Sequence, residues 1–382
     1  MRIYKVKGLN IVTYSLFLAI FKLYFIPNSV RQILKLFIIV GVFCFLISKL
    51  PRKKLFNISV LFSACVIISG LINYLRSDNT LEAFADSILY GLCFYDIYTL
   101  ALYCNFKNLT KQFLICLYKI TLLYCFLTVI SVLLIGTTNN SNSAVYLFGN
   151  KFSSSYYFIL LLALFRTTHD MKYKKNKMLF YSIILLSILF SLYVQCATVT
   201  VSGVFLLIIC LLPQHLKDAL SNPKVVVIAL VASTAVLIIF ESLLQVSFIN
   251  NLVANFFNKS YTIAGRLVIY NNYLEDLIRN KLIFGYGYSN GKLLILTGGV
   301  FSNAQNGLLE HLINYGLVGV VSLIYTTYYC FKKSNKGELA FSLGLVVYGM
   351  IVAAVIEVSL NWFFLLGISL VRWGNCSKQS RF

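Results

Sequence analysis

Long apolar runs recur along the whole chain, and their length decides what the chain can fold into. Most runs are about 20 residues long, enough for an α-helix to cross a hydrocarbon core about 30 Å thick, whereas the sixth, eighth and twelfth are shorter. A helix satisfies its backbone polar groups internally, as lipid requires. Twelve predicted spans lie near residues 10–26, 32–48, 55–75, 83–103, 112–136, 155–168, 178–196, 199–213, 225–247, 308–331, 338–356 and 359–371. The predicted fold class is an all-α polytopic membrane protein, a single integral membrane domain over residues 1–382.

The composition agrees with this fold class. Hydrophobic residues make up 59% of the chain, charged residues make up 12%, and the mean hydropathy is +0.82. Soluble domains are about 45–50% apolar and about 25% charged. The composition therefore predicts a membrane protein, and a soluble enzyme is excluded.

Lysine and arginine residues predict the orientation, because cytoplasmic loops accumulate positive charge. Placing both termini in the cytoplasm brings most of these residues to one side, including the clusters at 49–54, 166–177 and 332–336. The net charge of +21 then lies mainly against anionic headgroups of the inner leaflet. A nucleic-acid partner is unnecessary to explain the charge, and the bilayer is the predicted partner.

The cysteine and histidine positions predict neither disulfides nor a metal centre. Nearly all ten cysteines fall inside apolar spans, without a CxxC pair, and are interpreted as small core residues. His169 and His215 lie in separate basic loops without a nearby His or Cys. No metal and no cofactor are predicted.

The predicted loops on the external side are unequal in length. Most are short, whereas the segment 248–305 forms one long external loop. Within it, GRLVIYNNYLEDLIRN (265–280) has apolar residues at helical spacing and predicts an amphipathic helix. FGYGYSNG (284–291) then predicts a glycine-rich turn.

Two arginines of this helix differ in what their positions imply. Arg279 lies at its end, where the helix dipole favours a cation and Glu275 is available at i,i+4, so a structural role is the simpler interpretation and substrate binding is the alternative. Arg266 lies at its start, where the dipole disfavours a cation by about 0.3–1 kcal/mol. A bound anion would remove this penalty, so Arg266 is a candidate phosphate-binding residue.

The stretch SNAQNGLLEHLINYGLVG (302–319) carries many polar groups where a helix re-enters the membrane. On a helix, Gly307, His311 and Tyr315 share one face, and the next face holds Asn306, Glu310 and Asn314. Polar groups facing lipid are costly, so this surface either lines a substrate cavity or forms hydrogen bonds to neighbouring helices.

The order of motifs in this part of the chain resembles the O-antigen polymerase and O-antigen ligase (Wzy-like) family of membrane glycosyltransferases. The resemblance covers about 265–325 and consists of a GR pair with Tyr270 four residues on, a GxG, and a polar pair followed after nine residues by GxxG. The residues involved are Gly265, Arg266, Tyr270, Gly285, Gly287, Gln305, Asn306, Gly316 and Gly319. FGNKFSSSYYFILLL (148–162) is similar to a family segment with a Gly-Asn-Lys-type sequence at the start of a span, which adds Lys151.

The resemblance implies polymerisation or transfer of glycans linked to undecaprenyl pyrophosphate, on the outer face of the bacterial cytoplasmic membrane. The predicted function is a polymerase that joins oligosaccharide repeat units, and transfer to a different lipid acceptor stays open. The resemblance also implies no metal or nucleotide sugar, arginines that meet the charged leaving group, and chain-length regulator and flippase proteins as partners. The candidate catalytic residues are Arg266, Gln305, Glu310 and His311, and the candidate substrate-binding residues are Tyr270, Arg279, Lys281, Asn306 and Lys151.

Gln305 departs from the family pattern, in which this position is usually histidine. A glutamine amide can orient a hydroxyl group, but it is not a useful base at neutral pH. Gln305 is therefore interpreted as a positioning residue. Glu310 and His311 are the alternative residues for taking the proton of the acceptor hydroxyl. Pyrophosphate is also a good leaving group, so the reaction can proceed without a strong base.

The main competing interpretation is a transporter or flippase of lipid-linked oligosaccharide, which also fits twelve spans with both termini inside. Charged residues within spans support it, because such residues often mark translocation routes. Asp86, Asp96 and Lys119 are of this kind, whereas Lys22 and Lys35 lie near outer helix ends and can extend to the headgroups. The long external loop and its ordered motifs favour the polymerase.

Overall fold

The computed structural model of the chain describes residues 2–21, 26–134, 145–146, 149–172, 177–244, 277, 279–288, 304, 306–334, 338–356 and 362–374. Nearly all of these residues are helical, so the predicted all-α class is confirmed. Most of the predicted external loop at 248–305, including the greater part of the amphipathic helix at 265–280, lies outside the described residues.

The helices follow the apolar runs of the sequence. They are α1 Arg2–Ile20, α2 Asn28–Lys49, α3 Arg52–Leu55, α4 Ile58–Leu75, α5 Leu81–Phe106, α6 Thr110–Leu134, α7 Lys151–Lys172, α8 Lys177–Tyr193, α9 Ala197–Leu211, α10 Gln214–Leu220, α11 Pro223–Leu244, α12 Gly307–Lys332, α13 Glu338–Ile356 and α14 Trp362–Trp373. A hairpin of two short antiparallel strands, β1 Val145–Tyr146 and β2 Gly149–Asn150, precedes α7.

The described helices have the length and hydropathy of a multi-pass membrane protein. Within the described ranges, five helices are long and apolar enough to span a bilayer, namely α2, α4, α5, α6 and α12. Shorter apolar segments lie in α1, α8, α9, α11, α13 and α14. Each of the twelve predicted runs overlaps one of the longer helices.

Two helices form the centre of the bundle. α5 packs against α2, α4, α6 and α14, and α13 packs against α7, α9, α11 and α14. α12 lies against α4, α11 and α14. By contrast, α2 is peripheral, and large apolar side chains such as Phe37, which is 72% exposed, cover its outer surface. In a membrane protein such a surface faces lipid.

Side-chain caps begin both α4 and α5. The Asn57 side chain accepts a hydrogen bond from the backbone of Ser59 at the start of α4, and Thr80 accepts one from Ala83 at the start of α5. The turn between the helices contains Ser77 with φ of 59°. This tight α4–α5 hairpin supports the candidate site.

Candidate functional site

A break in α12 at Gly316 organises the site. Gly316 has φ 64° and ψ −164°, which interrupts the helix. In a continuous helix, the carbonyls of Ile313 and Asn314 would accept hydrogen bonds from the amides of Leu317 and Val318. The break leaves these four backbone groups without their helical partners.

The loop at 282–287 supplies the missing partners. The amide of Tyr286 donates to Ile313 O at 2.8 Å, and that of Gly287 donates to Asn314 O at 2.8 Å. In return, the Leu317 amide donates to Leu282 O at 2.8 Å. The Val318 amide likewise donates to Ile283 O at 3.2 Å. A helix break within a membrane is tolerated where neighbouring groups satisfy the backbone in this way.

Polar side chains of the α4–α5 hairpin hold the same loop. The Ser69 hydroxyl donates a hydrogen bond to Phe284 O. Asn79 Nδ2 donates to Tyr286 O at 3.3 Å, and Lys281 forms a salt bridge with Asp78. The loop is therefore fixed between α4 and α12.

The start of α12 presents an oriented carboxyl group. Asn306 caps the helix, and its Oδ1 accepts hydrogen bonds from the amides of Leu308 and Leu309 at 3.1 and 3.0 Å. Glu310 Oε2 accepts from the Ala304 amide at 2.7 Å, and its Oε1 accepts from Asn314 Nδ2 at 3.2 Å. Its carboxyl group therefore has a fixed orientation. Glu310 remains partly exposed.

His311 has a different environment. Its ring stacks on Phe62 of α4, with centroids 5.7 Å apart at 16°, and contacts Tyr315 edge-on at 4.7 Å. The residue is 4% exposed, and within the described residues its Nε2 atom has no hydrogen-bond partner. The ring is thus packed as an aromatic core residue.

A cluster of aromatic rings adjoins Glu310. Tyr90 of α5 stacks on Tyr288 at 5.2 Å and on Tyr315 at 5.8 Å, and contacts Trp362 of α14 at 4.6 Å. Lys35 of α2 completes the cluster, with Nζ 5.4 Å from the centroid of the Trp362 ring. Aromatic rings with a few convergent polar groups are typical of ligand sites.

Tyr288 directly follows the 282–287 loop and lies outside the membrane-spanning helices. Burial raises the pKa of its hydroxyl to about 12, and the nearby carboxyl groups of Asp86 and Glu310 act in the same direction. The hydroxyl is therefore protonated at neutral pH. It can donate a hydrogen bond to a substrate oxygen or to a carboxylate.

The structure brings some of the predicted site residues together. Asn306, Glu310 and His311 lie in the first turns of α12, and Lys281 lies in the adjoining loop, already paired with Asp78. Arg279 is exposed on the same segment. The remaining three predicted residues of this region, Arg266, Tyr270 and Gln305, lie outside the described residues.

Lys151 is the first residue of α7. Asn150 Oδ1 accepts a hydrogen bond from the Ser153 amide at this helix start, and Lys151 Nζ lies 5.2 Å from the Phe152 ring centroid. α7 packs mainly on α6, α8, α9 and α13, and its Tyr156 contacts Phe363, the residue after Trp362. No contact of the described residues joins Lys151 to Glu310, so its role in substrate binding stays a prediction.

Sequence reasoning missed four contributors to the aromatic cluster. Tyr90, Tyr288 and Trp362 are single aromatic residues in three separate segments, and Lys35 was interpreted only as a residue that extends to the headgroups. Two features of the sequence could have identified these residues. They lie near the predicted outer ends of spans, and the glycine-rich turn contains two tyrosines. Within the described part of the chain, no three His, Cys, Asp or Glu side chains are grouped as metal ligands.

Comparison of the chain with protein-family models, with curated protein sequences and with solved structures found no match.

Proposed function

We propose that the chain is a polysaccharide polymerase that joins oligosaccharide repeat units carried on undecaprenyl pyrophosphate. The observation that carries this proposal is the junction between the 282–287 loop and α12. Two separated parts of the motif pattern that resembles Wzy-like enzymes meet there: the GxG at Gly285 and the GxxG at Gly316. The polar pair at Asn306 caps the start of the same helix, one turn before Glu310. The pattern is therefore gathered on one helix and the loop that packs against it.

The proposed topology has twelve spans, both termini in the cytoplasm and the 248–305 loop outside. In this orientation, the starts of α2, α5, α12 and α14 and the 281–288 loop all lie at the outer end of the bundle. The Glu310 cluster then faces the periplasm or the cell exterior. This is the side on which completed lipid-linked repeat units are available, in the bacterial cytoplasmic membrane.

The proposed reaction needs a proton acceptor, and Glu310 is the group best placed for it. The acceptor hydroxyl attacks the anomeric carbon of the donor, its proton passes to the Glu310 carboxylate, and the bond between that carbon and the pyrophosphate oxygen breaks. Undecaprenyl pyrophosphate leaves with the bonding electron pair. The Ala304 amide and Asn314 hold the carboxylate in place, as general-base catalysis requires.

Other residues have supporting roles in this scheme. Tyr288, whose hydroxyl interacts electrostatically with Glu310, and Asn306 are proposed as hydrogen-bond donors to the substrate, and Gln305 is proposed to orient the acceptor hydroxyl. Arg266, with Arg279 near it in the same predicted helix, is proposed to meet the pyrophosphate charge, for which the bidentate guanidinium is suited. No metal or other cofactor is part of the proposal.

The test is loss of the gene followed by gel sizing of surface polysaccharide. The proposal expects long chains to disappear while single repeat units still reach the surface. The complementary assay uses the purified chain in nanodiscs with lipid-linked repeat units, and expects polymer without added metal or nucleotide sugar. Absence of polymer in this assay from a correctly folded chain would contradict the proposal.

Export of lipid-linked oligosaccharide is the second candidate, and Asp96 favours it. This carboxyl group is fully buried in α5, and among the described residues neither oxygen has a hydrogen-bond partner. Buried acidic groups in spans often belong to ion-coupled transporters. Accumulation of lipid-linked units on the cytoplasmic face after gene deletion would support export over polymerisation.

A further inference from the structure

Lys35 points into the bundle from its most lipid-exposed helix. Its Nζ lies 5.4 Å from the centroid of the Trp362 ring, and Trp362 packs in turn on Tyr90. The neighbouring residues Leu36 and Phe37 are exposed on the other side of α2. Lys35 therefore lies where the outer surface of α2 meets the aromatic cluster.

The Lys35 ammonium has no carboxyl partner and forms no salt bridge among the residues that the structure describes. The carboxyl groups of Asp86 and Glu310 lie near Tyr288. Tyr90 lies between Tyr288 and Trp362, the ring that Lys35 contacts. A partly buried ammonium within a span is costly unless it meets an anion or the headgroups. The cation–π contact with Trp362 recovers part of this cost. An anion beside Lys35 would offset the remainder.

The depth of Lys35 suits an anion carried by a lipid. Lys35 follows the first residue of α2, Asn28, by seven positions, which corresponds to about 10 Å along the helix. A lysine side chain at that depth reaches the level of lipid headgroups. The phosphate of a lipid arriving from the bilayer beside α2 would meet this ammonium before it reached Glu310.

We propose that Lys35 and Trp362 bind the phosphate group of the polyprenyl-linked substrate as it enters the site from the bilayer between α2 and α14. This inference rests on the proposed polymerase function and names a second phosphate contact, separate from Arg266. The ammonium pairs with phosphate oxygens, and the Trp362 ring covers the first part of the lipid chain. An ordinary phospholipid headgroup carries the same phosphate chemistry, so the experiment must separate the two sources.

The chain contains two tryptophans, which makes Trp362 a usable reporter. Trp373 lies at the other end of α14, against Tyr98 and Arg372. The Trp373→Phe variant of the full chain therefore has Trp362 as its single tryptophan. Its fluorescence is measured in phosphatidylcholine nanodiscs that contain increasing mole fractions of undecaprenyl phosphate, with phosphatidylglycerol as the comparison lipid.

The proposal expects a saturable change of Trp362 fluorescence with undecaprenyl phosphate. Lys35→Gln in the same background should need at least about tenfold more of this lipid, a loss of about one decade in affinity. Lys35→Arg should retain binding, because it keeps the charge. Lys49→Gln, which removes an exposed lysine at the opposite end of α2, is the matched control and should bind like the parent.

Two fluorescence results would overturn the inference. An equal response to phosphatidylglycerol would show a general headgroup contact, and an unchanged response in Lys35→Gln would show that Lys35 only extends to the membrane surface. Emission maximum and size-exclusion profile without added lipid show that each variant is folded. If the parent binds undecaprenyl phosphate but forms no polymer, the proposed polymerase function is wrong and the lipid-binding site stands. If Lys35→Gln forms polymer at the parental rate, the lipid-binding site is wrong and the polymerase function stands.

Discussion

Gly285 and Gly316 meet backbone to backbone, and neither position has room for a side chain. A Cβ atom on Gly285 would lie 2.6 Å from the nitrogen of Gly316 and 2.4 Å from the carbonyl oxygen of Ile313. A Cβ atom on Gly316 would lie 2.3 Å from the carbonyl oxygen of Ile283. Both glycines have φ of 64°, a conformation that other residues adopt at a cost. The two glycines of the motif pattern thus form the contact that joins the loop to the broken helix.

Replacement of either glycine by alanine should separate the loop from α12. The left-handed conformation alone costs an L-residue about 1–2 kcal/mol, and the overlap with backbone atoms adds to this cost. We expect Gly285→Ala and Gly316→Ala to lower the thermal stability of the purified chain and to abolish polymer formation. Fluorescence-detected size exclusion after heating measures the first effect.

Gly41→Ala is the matched control for these variants. Gly41 lies within α2, and a Cβ atom there would meet nothing within 4 Å. Alanine is favoured over glycine in a helix by about 0.5–1 kcal/mol, so this variant should be at least as stable as the parent. If Gly316→Ala behaved like Gly41→Ala, the junction would not hold the site together.

Replacement of Glu310 by glutamine should remove catalysis while leaving the helix start intact. A glutamine oxygen can still accept the hydrogen bond from the Ala304 amide, but the side chain cannot accept a proton. Loss of a general base typically lowers a rate by about 10²–10⁴-fold. The measurement is the initial rate of polymer formation in nanodiscs, compared with Glu310→Asp, which should keep part of the activity. A parental rate for Glu310→Gln would make Glu310 a structural capping residue.

Replacement of His311 by phenylalanine should leave the polymerisation rate near that of the parent. Phenylalanine preserves the stacking on Phe62 and the contact with Tyr315, which are the interactions that His311 makes. His311→Ala should instead reduce stability, because an aromatic pair contributes about 0.5–1.5 kcal/mol beyond its buried area. Loss of activity in a stable His311→Phe protein would assign proton transfer to His311 in place of Glu310.

The orientation of the chain predicts which introduced cysteines react with a membrane-impermeant maleimide. Arg279→Cys, on the exposed part of the segment before the loop, should be labelled in intact cells. Lys49→Cys, at the other end of α2, should be labelled only after the membrane is opened. The label gained over the parent chain is measured by mass spectrometry, since the parent has ten cysteines. Labelling of Arg279→Cys from the cytoplasmic side alone would place the site on the wrong face.

The sequence by itself determined the helices and the class of protein. Apolar runs such as 83–103 and 308–331 predicted α5 and α12 closely, because in lipid the backbone must be satisfied within each segment and the length of a run sets the length of its helix. Helical periodicity also predicted that Glu310 and Asn314, four residues apart, share one face, and they are hydrogen-bonded. These are local properties, which depend on residues close in the chain.

Only the tertiary structure decided how the site is assembled. It brought Lys35, Tyr90, Tyr288 and Trp362 together from α2, α5, the loop and α14. It packed His311 against Phe62, whereas the Glu310 carboxyl group is oriented by hydrogen bonds and the residue is partly exposed. The sequence shows the same polar character for both members of the Glu310–His311 pair. Their roles differ because helices distant in sequence cover one side chain and leave the other open, and hydropathy does not specify which helices become neighbours.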